Sequence, residues 1–244
     1  YEISACLVGS EMCIRDREVI FMNISEAINN RHSVRKYTNQ IIPNNIIEEL
    51  KSEVEVCNHK SNLNIQLITN EPEAFSGFTA HYGMFKNVTN YFAMVSKSDV
   101  NLDEKIGYYG EHLVLKAQQL GLNTCWVAAT YKKKKSSYTA GDGEKLVCVI
   151  TLGYGQTQGK PHKNKPIEKV CDYNENIPDW FLAGVNSAML APTAMNRQKF
   201  FFSLNDLEVS VKSFGGAYSK IDLGILKYHF ETAANSINKN WKFI

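Results

Sequence analysis

The sequence Gly107-Tyr-Tyr-Gly-Glu-His-Leu-Val-Leu-Lys-Ala-Gln-Gln-Leu-Gly-Leu-Asn-Thr-Cys-Trp-Val-Ala-Ala-Thr-Tyr131 contains the pattern that decides the fold. Apolar side chains recur at helical spacing up to residue 120, which predicts a helix over 106–120 with one buried face. Gly121 then occupies the position where a left-handed residue commonly ends a helix. Residues 124–130 are rich in β-forming side chains, so they predict a strand directly after the helix.

Similar patterns extend in both directions from this helix and strand. Pro43 and Pro178 each suit the first turn of a helix, and Pro192 ends the second of these helices. A long helix is predicted over 221–237. Helices and strands interleave, but some strands are neighbours along the chain, which favours a layered α+β domain over a regular βαβ barrel. The other predicted strands cover residues 63–69, 90–96, 145–152 and 200–204.

The composition is that of an ordinary globular protein. The chain has 244 residues, of which 44% are hydrophobic and 21% are charged. The formal net charge of +2 gives no overall field that favours nucleic acid or a membrane surface. The longest apolar runs are shorter than the roughly 18 residues that a membrane-spanning helix needs. We therefore expect neither a nucleic-acid partner nor a membrane partner.

The cysteines are scattered and form no CxxC pair or metal-ligand pattern. A core of this size needs no disulfides, so we expect reduced thiols and a cytoplasmic location. Two of them lie in apolar strand patterns and are expected to be small buried hydrophobes, namely Cys125 and Cys148. The remaining ones are Cys6, Cys13, Cys57 and Cys171.

Residues 1–21 differ in character from the rest of the chain. They have no positive n-region, and the apolar stretch 3–9 is too short for a signal peptide. Residues 6–17 resemble translated sequencing adapter, and Met22 is a natural start. We expect 1–21 to be a non-native or disordered segment, with a genuine N-terminal arm as the alternative.

Arg31, Ser33 and Arg35 form a candidate anion site. Alternate side chains of an extended segment point the same way, so the three can converge on one ligand. Two guanidiniums with a hydroxyl between them suit phosphate oxygens, because charge-assisted forked hydrogen bonds are strong. A solvated basic turn after a helix is the alternative interpretation of the same residues.

Further blocks follow along the chain in a fixed order. They are RHSVRKY at 31–37, VITLGYG at 149–155, KPHKNKP at 160–166 and LAPTAMNRQ at 190–198. Together with the segment at 107–131 and a late Ile221-Asp-Leu-Gly224, they resemble the nitroreductase family in sequence and spacing. The resemblance covers nearly everything after Met22. It implies the family's α+β fold, a layered arrangement with a mixed, mainly antiparallel sheet flanked by helices, and it implies FMN as the cofactor.

The order of the blocks departs from the common family pattern. The Ala-Pro-Thr element at 191–193 usually follows the first long helix, yet here it lies in the second half. Lys199 replaces the usual proline. The chain resembles a divergent branch in which residues 22–244 contain two related halves, 22–160 and 161–244. Common members are homodimers with FMN at the subunit interface, so this chain is expected to be a pseudo-dimeric monomer or a homodimer.

The resemblance assigns cofactor contacts position by position. It implies that the arginines and Ser33 contact the phosphate and ribityl chain together with two lysines, that two side-chain amides contact the ring, and that strand residues approach flavin N5. No catalytic acid–base residue and no metal ligand is nominated. The residues so assigned are Arg31, His32, Ser33, Arg35, Trp126, Val127, Ala128, Ala129, Gly153, Lys163, Lys165, Pro192, Thr193, Asn196 and Gln198.

The expected function is that of an FMN-dependent oxidoreductase. It would transfer hydride from NAD(P)H through flavin N5 to a nitroaromatic, quinone or similar small electron-poor acceptor. The alternatives are a related flavin reaction, such as reductive dehalogenation or flavin reduction, and a catalytically silent flavin- or ligand-binding module. A basic anion- or nucleic-acid-binding protein would rest only on the lysine run 132–135.

Overall fold

The computed structural model describes residues 22–244, so the prediction for 1–21 lies outside the described residues. Along the chain, helices precede, separate and follow the strands. A capping box begins the first of them, because the Asn23 side chain accepts from the Glu26 N–H and Glu26 accepts from the Asn23 N–H. The helices are α1 Ile24–Asn30, α2 Asn44–Ser61, α3 Phe78–Tyr82, α4 Leu102–Gln119, α5 Asp179–Leu190 and α6 Ser219–Ala234.

The strands form two sheets. The first contains four strands in the order β1-β2-β4-β3, and every neighbouring pair is antiparallel. The second contains three strands in the order β5-β6-β7, with an antiparallel and a parallel pair. This mixed, mainly antiparallel arrangement with flanking helices confirms the predicted α+β class. The strands are β1 Asn64–Ile68, β2 Asn90–Lys97, β3 Asn123–Val127, β4 Glu144–Gly153, β5 Phe200–Asn205, β6 Glu208–Ser213 and β7 Lys242–Phe243.

The four-stranded sheet is buried on both faces. Phe92 and Met94 of β2 pack into the core formed with the helices, whereas Tyr91 and Ala93 pack into a second core on the opposite face. Successive side chains of a strand point to opposite faces, so a strand covered on both sides must be apolar throughout. This explains why residues 90–96 form a continuous buried run rather than an alternating one.

Helices α4 and α6 cross at a contact built from two glycines. A Cβ on Gly107 would lie 2.0 Å from the Ile221 carbonyl oxygen, and a Cβ on Gly224 would lie 2.0 Å from the Glu104 carbonyl oxygen. The contact is reciprocal, because each glycine faces the carbonyl three residues before the other. Only glycine permits the two backbones to approach so closely.

The predicted elements agree with the structure in kind, and they differ at their ends. Strand β3 ends at Val127 rather than at 130, because its partner β4 pairs only with residues 123–127. Helix α4 begins at Leu102, four residues before the prediction, with Asp103 and Glu104 in its first turn, where acidic side chains favour the helix dipole. Helix α1 and strand β6 were not predicted, since one is short and the other has polar alternation.

The described cysteines are free thiols, as predicted, and Cys125 and Cys148 are buried. None of the helices within residues 22–244 has the length and apolar character required to cross a bilayer.

Candidate functional site

A cleft of about 370 Å³ lies beside the C-terminal end of β3. Its volume falls within the range of small-molecule sites. One wall contains Ser33, Arg35 and residues 125–129, and the opposite side contains residues 192–195, 213, 215–219 and the start of α6. The predicted site residues that line it are Ser33, Arg35, Trp126, Val127, Ala128, Ala129, Pro192 and Thr193.

Three cationic side chains line this cleft, those of Arg35, Arg197 and Lys199. Within residues 22–244 none of the three forms an ion pair with an acidic side chain. Asp222 is the only acidic residue among the described residues of the lining. The cleft therefore has an excess of positive charge that suits an anionic ligand.

Asp222 lies in the first turn of α6 and faces the segment that contains Pro192 and Thr193. Its two carboxylate oxygens accept from the Ala194 N–H at 3.0 and 3.1 Å. Burial raises the pKa of Asp222 from 3.8 to about 6, and the Ala194 hydrogen bond opposes this shift. The cleft thus contains a carboxyl group that exchanges its proton near neutral pH.

The raised pKa of Asp222 predicts a pH dependence of stability. Between its ordinary pKa of 3.8 and its folded pKa of about 6, the native state binds more protons than the unfolded state. The contribution of this group is therefore complete below pH 3.8 and is lost as the pH rises through 6. We expect the free energy of unfolding of Asp222→Asn to rise by about 2 kcal/mol relative to that of wild type between acid and neutral pH, after allowance for partial exposure.

Urea unfolding of the protein across this pH range measures that difference. Asp206→Asn is a matched control, because this exposed turn residue has a φ of 55°, which asparagine tolerates well. If the free energies of unfolding of Asp222→Asn and wild type changed in parallel with pH, the folded pKa of Asp222 would not be raised.

Trp126 forms part of the cleft wall and is fixed from behind. Its ring lies against Gly110, where an added Cβ would be 2.3 Å from Trp126 Cη2. Its Nε1 donates to Glu111 Oε2 at 2.8 Å. A side chain held by both packing and a hydrogen bond offers a rigid surface to a ligand.

Glu111 is the centre of a buried network beneath this wall. Its side chain has no exposed surface, and Oε1 lies 2.9 Å from His229 Nε2 and 3.8 Å from Arg31 Nε. His229 Nδ1 is 3.1 Å from the Ser187 carbonyl oxygen, which can only accept a hydrogen bond. The His229 ring therefore carries a hydrogen on Nδ1, and its Nε2 faces the Glu111 carboxyl group.

Arg31 belongs to this network and not to the lining of the cleft. Its side chain is 3% exposed and its Nη2 donates to the Leu190 carbonyl at 3.3 Å. Burial lowers the pKa of Arg31, and the nearby Glu111 carboxylate opposes the shift. The expectation that Arg31 points with Ser33 and Arg35 is wrong although its backbone is extended, because Glu111 and the Leu190 carbonyl hold its side chain behind the wall.

The predicted amides and lysines contact one another. Asn196 Nδ2 donates to the Lys163 carbonyl at 3.0 Å, and the Gln198 side chain accepts from the Lys165 N–H at 2.8 Å. Lys165 Nζ donates to the Gln198 carbonyl at 2.6 Å. These four residues do not line the cleft, and they instead tie the segment that carries Arg197 to the loop between β4 and α5.

The backbone conformation of residues 196–199 depends on position 199, where lysine replaces the proline that is usual in the family pattern. Gln198 has a φ of 44°, in the left-handed region. A proline at 199 would push residue 198 toward extended conformations. The absence of proline therefore permits the turn that brings Arg197 and Lys199 to the cleft.

The remaining predicted residues lie behind the wall. Gly153 contacts the Tyr37 ring, where an added Cβ would be 3.0 Å from Cδ1. His32 packs against Gly159, with its Cβ 2.6 Å from the position of an added Cβ. Neither residue is among those that line the cleft.

The sequence analysis did not assign several lining residues. Consecutive glycines after β6, Gly215 and Gly216, have φ of 79° and 133° and form the loop that closes one side. This dipeptide was a signal that sequence reasoning left unused. The other unassigned lining residues include Ala194, Met195, Arg197, Lys199, Ser213, Tyr218, Ser219 and Asp222.

Comparisons with known proteins agree with this architecture. The profile of the family described as "Putative TM nitroreductase" matches residues 23–234. No curated protein matches the sequence. A solved structure of a nitroreductase from Thermotoga maritima is 23% identical, with a TM-score of 0.63 over 89% of this chain and 86% of that one.

A second solved structure, a nitroreductase in complex with FMN from Desulfovibrio desulfuricans, is 14% identical. Its TM-score is 0.50 over 64% of this chain and 98% of that one. At these identities the two structures show the fold alone. The family profile, in contrast, covers most of the chain, so the chain belongs to this nitroreductase family and is an oxidoreductase of that kind.

Proposed function

We propose that this chain is an FMN-dependent oxidoreductase that uses NAD(P)H to reduce a small electron-poor acceptor, such as a nitroaromatic or a quinone. The observation that carries the proposal is the excess of cationic side chains in the cleft of a nitroreductase family member. A dianionic phosphate would satisfy Arg35, Arg197 and Lys199, for which residues 22–244 provide no acidic partner.

The donor set of the cleft fits the phosphate end of FMN. Arg35 and Arg197 offer forked donors, Lys199 adds a third charge, and the Ser33 hydroxyl can donate to the same anion. We propose an indirect role for the predicted residues that do not line the cleft. Arg31 contacts Glu111 of the buried network. The other four contact one another and are Asn196, Gln198, Lys163 and Lys165. Arg31 then orders the start of this wall, and the other four hold Arg197 and Lys199 in place.

The wall formed by β3 suits the ring of the cofactor. Small side chains at Ala128 and Ala129 leave the backbone beyond the strand end accessible, and Trp126 adds a rigid flat surface. When bound, FMN supplies the hydride chemistry. The chain binds and orients the reactants and excludes water, and Asp222 holds a proton at its carboxyl below pH about 6, within the same cleft.

Replacing Arg35 by alanine is expected to weaken FMN binding about 100-fold, because a charge-assisted contact with phosphate is lost. Titration of flavin-free protein with FMN, followed by the quenching of flavin fluorescence, measures the change. Lys145→Ala is the matched control, since Lys145 is an exposed cation that does not line the cleft and should leave affinity unchanged. Equal affinities for Arg35→Ala and wild type would refute the assignment of the phosphate.

The activity itself is tested by anaerobic stopped-flow spectroscopy of FMN-loaded protein. NADH or NADPH is expected to bleach the flavin absorbance, and a nitroaromatic or quinone is expected to restore it with the matching reduced product. If neither NADH nor NADPH bleaches the FMN-loaded protein, the chain is instead a catalytically silent flavin-binding module.

We further propose that the halves 22–160 and 161–244 build within one chain an interface that common family members form between two subunits. The reciprocal glycine contact of α4 with α6 supports this, because a pseudo-twofold axis would relate its two sides. Sedimentation velocity is expected to give a monomer, whereas an obligate dimer would count against the proposal.

A further inference from the structure

A cluster of metal-ligating side chains lies between α2 and α4. Glu53 and Cys57 belong to α2, and His112 belongs to α4. One ligand atom of each residue lies within 4.8 Å of the other two. None of the three lines the cleft, so the cluster is separate from the site described above.

The helices explain why these side chains meet. Glu53 and Cys57 are four residues apart, so they occupy the same face of α2. This face packs against α4, and His112 points back toward it: His112 Nε2 lies 2.5 Å from Glu53 Oε1. The Cys57 side chain is buried, with Sγ 4.0 Å from the Tyr109 carbonyl oxygen.

A residue of a third helix orients the imidazole. The Tyr228 hydroxyl of α6 lies 2.9 Å from His112 Nδ1. A histidine that binds a metal through Nε2 needs its hydrogen on Nδ1 and an oxygen there to accept it. Tyr228 supplies that oxygen and leaves Nε2 directed at Glu53 and Cys57.

We propose that Glu53, Cys57 and His112 form a binding site for a divalent transition metal of the zinc type, with a water molecule as the fourth ligand. A thiolate, a carboxylate and a neutral imidazole together balance the charge of a divalent ion. Cysteine sulfur, histidine nitrogen and glutamate oxygen are all zinc ligands, and three protein ligands completed by water form a tetrahedral site.

The distances require only a small adjustment. Bonds of about 2.0–2.3 Å that meet at the tetrahedral angle place ligand atoms about 3.5 Å apart. The Glu53 and His112 side chains would separate by about 1 Å from their present hydrogen bond, and both are partly exposed, at 23% and 29%. This exposure leaves a path for the ion and for the water ligand.

Other uses of the same residues explain the geometry less completely. An ion pair between His112 and Glu53 accounts for two of the residues and gives no role to the thiol. The Cys57 side chain is buried, so the thiol is not accessible as a nucleophile. The metal site gives a role to all three ligands and to Tyr228.

The test uses full-length protein without a histidine tag, stripped with chelator and loaded with FMN. Titration with ZnCl₂ by calorimetry should show one tight site per chain, and CoCl₂ should produce a thiolate-to-cobalt charge-transfer band. Cys57→Ser should abolish the band, while Glu53→Gln and His112→Gln should each weaken zinc binding at least about 10-fold. Tyr228→Phe should weaken it about 10-fold as well.

Cys171→Ser is the matched control, because Cys171 is a buried free thiol that contacts none of these residues. It should retain both the band and the zinc affinity of wild type. Thermal unfolding of each variant in chelator establishes that it is folded before titration. Zinc or cobalt binding that is absent in wild type, or unchanged in folded Cys57→Ser and His112→Gln, would overturn the proposal.

Discussion

Glu111→Gln is expected to lower the free energy of unfolding by about 3–5 kcal/mol, because it leaves the buried Arg31 guanidinium without its anion. Glu111 has no exposed side-chain surface and faces both Arg31 and His229. Glutamine has nearly the same shape, so lost packing contributes little. Its amide carries no charge, so Arg31, whose Nε lies 3.8 Å from Glu111 Oε1, loses its ion-pair partner.

Urea unfolding of flavin-free protein at neutral pH measures this loss. Glu48→Gln is the control, because Glu48 forms an exposed ion pair with Lys51, and such pairs contribute at most about 1 kcal/mol. Equal effects of the two substitutions would show that the Glu111 network does not stabilise the wall of the cleft. Because Trp126 is held by Glu111, weaker FMN binding should accompany the loss of stability.

Gly224→Ala is expected to cost about 3 kcal/mol or to prevent folding, since its Cβ would lie 2.0 Å from the Glu104 carbonyl oxygen. Alanine favours a helix over glycine by about 1 kcal/mol, so a net loss can come only from the contact with α4. The reciprocal substitution Gly107→Ala should behave in the same way, because its Cβ would meet the Ile221 carbonyl oxygen.

Chemical denaturation, with circular dichroism for any variant too unstable to titrate, measures these effects. Gly141→Ala is a suitable control, because its nearest neighbour would be a Glu144 carboxylate oxygen at 3.5 Å, an ordinary contact. If Gly224→Ala were as stable as wild type, helices α4 and α6 would have to lie farther apart than they do here.

Periodicity predicted most of the fold because the strongest patterns coincide with the elements that form the core. The helix at 106–120 and the strand at 124–130 correspond to α4 and β3. Their exact ends depend on tertiary contacts, which have no local signature. Strand β3 stops at Val127 because its partner β4 pairs only with residues 123–127, and the chain then forms the cleft wall.

The candidate site was predicted less completely, for two physical reasons. Alternation along an extended segment carries no information about tertiary partners: Arg31 is buried against Glu111 and the Leu190 carbonyl, so only Ser33 and Arg35 reach the cleft. Positive φ values around residue 197 change the direction in which these side chains point. The side-chain amides of Asn196 and Gln198 donate to backbone carbonyls instead of lining the cleft. The cations between and after them, Arg197 and Lys199, line the cleft instead.

The central claim is that the cleft holds FMN by its phosphate. Calorimetric titration of flavin-free wild-type protein with FMN and, separately, with riboflavin tests it most directly, because the two ligands differ only in the phosphate. The cations at Arg35, Arg197 and Lys199 predict one FMN per chain and riboflavin binding about 100-fold weaker. No uptake of FMN, or equal affinities for the two flavins, would contradict the account.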